Sequence, residues 1–105
     1  MTFALNEEEQ ALVEYLMESP KETLLVLTEE FHPGSKALLD SVQTVQRNHP
    51  NLEVIEGLFS HYERFAQTQD VCGFPAILYF KKGELAGLLL GVVDEEQIEK
   101  LGFEQ

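Results

Sequence analysis

A chain of 105 residues is long enough to bury one core and too short for two of ordinary size, so a single domain spanning 1–105 is expected. Hydrophobic residues at 44% and charged residues at 25% exclude an apolar-poor, disordered chain. A net charge of -12, from 19 acidic against 7 basic residues, makes an anionic surface that repels phosphate backbones and anionic lipid leaflets, and so excludes nucleic acid and membrane as expected partners.

In chain order, Asn6 can accept hydrogen bonds from a first helical turn, Glu7, Glu8 and Glu9 suit the positive end of its dipole, and Leu12, Tyr15 and Leu16 share one face. The acidic run itself reads as a solvated, solubilising face. This first helix runs to about Glu18, where Ser19-Pro20-Lys21 breaks it. Thr23-Leu24-Leu25-Val26-Leu27-Thr28 is a continuous apolar run, which fits a central strand covered on both faces. Pro33 then suits the first position of a second helix, with Leu38, Val42 and Val45 on one face and an end near Asn48.

Residues 52–59 read as another strand, and Ser60 with Glu63 reads as a capping box for a third helix carrying Tyr62, Phe65 and Ala66. Gly73-Phe74-Pro75 stops that helix. Residues 76–80 and 85–91 are apolar strands joined by Lys81-Lys82-Gly83-Glu84, a connection suited to an antiparallel hairpin. Asp94 and Gln97 cap a last helix with Ile98 and Leu101 inward and Gly102 as its stop. A short edge strand at 2–5 completes the reading. Crossover helices predict parallel pairing, and the closing hairpin adds an antiparallel edge, which gives an α/β fold with a mixed sheet of four to five strands and helices on both faces.

Cys72 is the one cysteine, which excludes an internal disulfide and any paired-cysteine metal site. His32, His49 and His61 lack metal-ligand spacing, so neither metal nor cofactor is expected. The first residues carry neither the basic start nor the apolar run of a secretory leader, no stretch reaches membrane-spanning length, and the cytoplasm is the expected compartment.

Three segments resemble the thioredoxin family, and the likeness extends from about Thr23 to Leu101. They are the strand, loop and helix over 24–45; Val71-Cys72-Gly73-Phe74-Pro75 leading into Ala76-Ile77-Leu78-Tyr79-Phe80; and Phe80-Lys81-Lys82-Gly83-Glu84 followed by Gly91. The resemblance implies a thioredoxin fold with Pro75 in the cis form, a form essentially confined to bonds before proline. It also locates a departure. Where the family has an aromatic residue and then Cys-Gly-Pro-Cys-Lys, this chain has Phe31 and then His32-Pro33-Gly34-Ser35-Lys36.

Dithiol exchange needs a thiolate at a helix N-terminus and a second thiol to resolve the mixed disulfide, and the degenerate loop His32, Pro33, Gly34, Ser35 offers neither. Val26 also stands where the family commonly buries an aspartate as a proton relay; without thiols such a carboxylate would only cost desolvation. His32 can act as a partner contact near neutral pH, or serve simply as an exposed cap ahead of Pro33. Ser35 with His32 suggests a nucleophile and base, yet no acidic orienter or oxyanion motif accompanies them. Cys72 can be a reactive thiol, but the lack of a basic neighbour and the nearness of Asp70 favour an inert, partly buried residue.

The surface with which the family holds extended peptides is better kept than its chemistry: Phe31, His32, Phe74, Pro75, Gly91 and Val92 match that groove, although Gly91 and Phe74 could be there for a turn and for the core. The sequence therefore reads as a redox-inactive binding or accessory module and not an enzyme, with a protein or peptide as partner and a homodimer also open. The rival reading is a monothiol exchange protein that uses Cys72.

Overall fold

The chain is described here by a computed structural model covering residues 4–103. Helix α1 (Glu7–Glu18) starts with a reciprocal capping box in which the Asn6 side chain accepts from the Glu9 N–H and the Glu9 carboxylate accepts from the Asn6 N–H. Strand β1 (Thr23–Thr28) follows, then α2 (Pro33–Asn48), β2 (Glu53–Leu58), a single 3-10 turn (Phe59–His61), α3 (Glu63–Thr68), β3 (Ala76–Lys81), β4 (Glu84–Leu90) and α4 (Glu95–Glu99). The edge strand expected at 2–5 falls partly outside the described residues, and Ala4 and Leu5 belong to no strand.

The four strands lie in the order β2-β1-β3-β4. All six β1 residues are buried, as a strand covered on both faces requires. On one face α1 and α3 pack Leu12, Leu16, Phe65 and Ala66 onto Leu25, Leu27, Leu78 and Phe80. On the other, α2 and α4 pack Leu38, Val42, Val45 and Ile98 onto Leu24, Val26, Ile77 and Tyr79. Alternate residues of β1 therefore feed two separate cores. Among the described residues no helix is long and apolar enough to cross a membrane.

Three expectations are corrected. Only β1 and β2 pair in parallel; β3 runs antiparallel to β1 as well as to β4. The segment after β2 leaves from and returns to one end of the sheet, so it reverses the chain instead of crossing over. The capping box expected from Ser60 is absent: α3 starts after Tyr62 with no side-chain cap. Ser60 instead donates through its N–H and Oγ to the Glu29 carboxylate, at 3.1 and 3.3 Å, because the 3-10 turn points it back at the end of β1. Glu9 is not a solvated member of the acidic run; it is 1% exposed, and its carboxylate also accepts from the Phe65 N–H at 2.5 Å.

Candidate functional site

The antiparallel register pairs Leu27 with Ala76, so the loop after β1 and the loop before β3 emerge at the same end of the sheet. His32 and Phe74 meet there. His32 is the N-cap of α2 by backbone geometry, with Pro33 next and no side-chain capping bond, and the Ser35 N–H returns to the His32 carbonyl at 3.0 Å. The imidazole stands edge-on to the Phe74 ring, centroids 5.5 Å apart and planes at 80°.

Phe74 rests in turn on Phe59, 5.4 Å away and buried. The Phe74–Pro75 peptide bond is cis. Gly91, at φ +86°, donates its N–H to the Pro75 carbonyl at 2.8 Å, which fixes the chain just past β4 against this loop. Val92 follows and lies over the helix start: a side chain on Gly34 would put its Cβ 2.4 Å from Val92 Cγ2 and 3.1 Å from His32 Cε1. Gly34 is thus the residue that lets Val92 close onto the turn. Phe74 and Val92 remain 42% and 53% exposed, an apolar rim around the imidazole.

His32, Gly34, Phe74, Pro75, Gly91 and Val92 are therefore brought together. Phe31 is next in the chain but projects fully into solvent from a left-handed backbone at φ +62°. Cys72 is exposed, which corrects the expectation of partial burial: Val71 takes the buried position of that loop and the next residue turns outward. Phe59 is the supporting residue that the sequence reading placed at the end of a strand and did not connect to the site; only the contact with Phe74 reveals it. Among the described residues no three His, Cys, Asp or Glu side chains gather to hold a metal ion.

The turn from His32 to Ser35 holds no thiol. Ser35 is buried, and neither its Oγ nor the buried Nδ1 of His32 has a hydrogen-bond partner among the described residues, so the two do not form a nucleophile–base pair. Phe74 lies outside every strand, and its backbone N–H and C=O make no hydrogen bond among the described residues.

No family model matches the sequence, and no curated protein matches it. Solved structures do. A chain from the structural study of thiol resolution in yeast mitochondrial 1-Cys peroxiredoxin via the glutathione/thioredoxin systems superposes with a TM-score of 0.75 at 14% identity, covering 87% of this chain and 84% of that one. Oxidized mitochondrial thioredoxin 3 from Saccharomyces cerevisiae gives 0.75 at 13% identity over 87% and 84% of the two chains. Reduced desulfothioredoxin from Desulfovibrio vulgaris Hildenborough gives 0.77 at 9% identity over 85% of each. The chain has the thioredoxin fold. Within that fold the start of α2 carries an imidazole and a buried hydroxyl, with its neighbours Phe74 and Val92 on the exposed side.

Proposed function

We propose that this thioredoxin-fold chain is a redox-inactive binding module that holds an extended segment of a protein or peptide on the rim formed by Phe31, His32, Phe74, Pro75, Gly91 and Val92. The observation that carries the reading is the state of Phe74: an exposed ring backed by Phe59 and His32, with its own N–H and C=O unpaired just beyond the last rung of the sheet. An incoming strand can pair with that backbone while its side chains cover the apolar rim. His32 and Ser35 supply no thiol, so the segment is gripped without electron transfer.

Two measurements test this. With dithiothreitol as reductant, the chain is expected to reduce a protein disulfide no faster than the reductant alone and no faster than its Cys72→Ser variant; turnover above both ends the redox-inactive reading. Heptapeptides selected on the chain are expected to weaken at least about tenfold against Phe74→Asp, the loss that a buried interface anchor of this size gives. Selected peptides indifferent to Phe74→Asp would place binding elsewhere.

The exposure of Cys72 supports a second reading, a monothiol that forms a mixed disulfide with a partner thiol. It expects alkylation of Cys72 by a neutral reagent at about pH 7 to be faster than in the denatured chain. Labelling at the denatured rate removes it.

A further inference from the structure

The two ends of the sheet differ in charge. The registers that pair Thr23 with Phe80, Thr23 with Glu53 and Lys81 with Glu84 put Lys21, Lys81 and Lys82 at the end away from the rim, among Glu18, Glu22, Glu53 and Glu84, so charge there is close to balance. The rim end is one-sided. Within four positions of its residues Phe31, His32, Phe74, Pro75, Gly91 and Val92 stand six carboxylates, Glu29, Glu30, Asp70, Asp94, Glu95 and Glu96, against the single ammonium of Lys36. All six but Glu29 are exposed.

Contacts tie these acids to the rim. The Glu29 carboxylate accepts from the Ser60 N–H at 3.1 Å, beside the Phe59 that backs the Phe74 ring. Glu30 directly precedes Phe31, and Asp94 caps α4 two positions after the Val92 that lies over Gly34. Two features oppose the field. The starts of α2 and α4 bring positive dipole ends, each worth at most about half a charge, and Lys100 stands 3.9 Å from Glu96 in an exposed, solvent-screened pair. Neither reverses so large an excess of carboxylates.

An apolar strip set among like charges favours a cationic occupant, which relieves their repulsion, over an acidic one, which adds to it. We infer that, granted the rim's proposed role in holding a peptide, the segment it selects has an apolar or aromatic centre flanked by lysine or arginine within about four residues on either side. Four residues of extended chain reach about 13 Å, enough to pass from the apolar strip to the acids that border it.

Three synthetic heptapeptides test this. They share a Leu-Phe-Val centre and carry two lysines, two serines or two glutamates on each side. Titration calorimetry at about 50 mM salt is expected to show the lysine-flanked peptide binding about tenfold more tightly than the serine-flanked one, with the glutamate-flanked one weakest, and the gap closing near about 0.5 M salt as screening shortens. Glu30→Gln/Glu95→Gln removes two exposed carboxylates that take part in no capping box, and is expected to narrow the lysine-to-serine ratio to about threefold with an unchanged far-ultraviolet circular dichroism spectrum. Phe74→Ser, which adds no charge, is expected to weaken the lysine-flanked and serine-flanked peptides alike, by about tenfold.

Equal binding of lysine-flanked and serine-flanked peptides, both weakened by Phe74→Ser, overturns the charge selection and leaves the rim's role in binding intact. A lysine preference that neither salt nor the glutamine variant alters overturns the selection as well. So does a lysine-flanked peptide indifferent to Phe74→Ser, which is then held as a polycation elsewhere on the acidic chain. Failure of all three to bind at about 1 mM also overturns it, while the heptapeptides selected on the chain decide the rim's role separately.

Discussion

Glu9 shows how one side chain can tie two segments. Its carboxylate accepts from the Asn6 N–H that begins α1 and from the Phe65 N–H in α3, while the side chain is almost wholly removed from water. Deleting it strands two donors and ends the capping box, so Glu9→Ala is expected to lower the unfolding free energy by about 2–4 kcal/mol in urea titration, and Glu9→Gln by less because an amide oxygen still accepts. Tyr15 gives the complementary surface case. Its hydroxyl donates to the Glu53 carboxylate, and that bond, followed by desolvation and the Glu53 charge, raises its pKa above the usual tyrosine value. The folded chain therefore favours the neutral phenol, so the contribution is fully present below the unfolded value near 10 and is lost as pH rises through the folded one. Stability is expected to fall above about pH 10, less steeply in Tyr15→Phe, as read by denaturant midpoints across that range. Tyr62, shifted the same way by burial and then by the charges of Glu8 and Glu9, is expected to contribute to the decline that remains in Tyr15→Phe.

The β3–β4 hairpin is the element whose local chemistry is most exacting. Lys82 at φ +54° and Gly83 at φ +81° are the two central turn residues, both in the left-handed region that a two-residue turn between twisted strands uses. Gly83 bears the added demand of close approach, since a Cβ there would lie 3.2 Å from Met17 Cα at the end of α1. Gly83→Ala is expected to cost about 1–2 kcal/mol, seen as a fall in Tm of several degrees, because neither the backbone angle nor the facing main chain can yield cheaply. Lys82→Asn is expected to raise Tm slightly, asparagine tolerating that angle better than lysine. At the other end of the chain α4 has the reciprocal box of Asp94 and Gln97, and His49 at the end of α2 holds Glu99 of α4 at 2.6 Å with Phe103 packed edge-on to its ring.

At the scale of the whole molecule, the direction of β3 decides where the site is. Because β3 runs antiparallel to β1, Phe74 and Pro75 emerge beside His32; a parallel β3 would have put them at the opposite end of the sheet. Periodicity, proline and capping residues located α1, β1 and α2 from local information alone, because helix limits and buried strands are written in consecutive side chains. The absence of a dithiol was equally plain, since a second thiol is a matter of composition. Strand direction, the support of Phe74 by Phe59, the burial of Glu9, the tie between Ser60 and Glu29 and the exposure of Cys72 were not legible in that way. Each joins residues 15 or more positions apart or depends on which way a loop turns, and such outcomes are fixed only when two hydrophobic faces close over one sheet. The chain's own residues thus settled that it holds no cysteine pair, and packing settled which of them stand together at the start of α2.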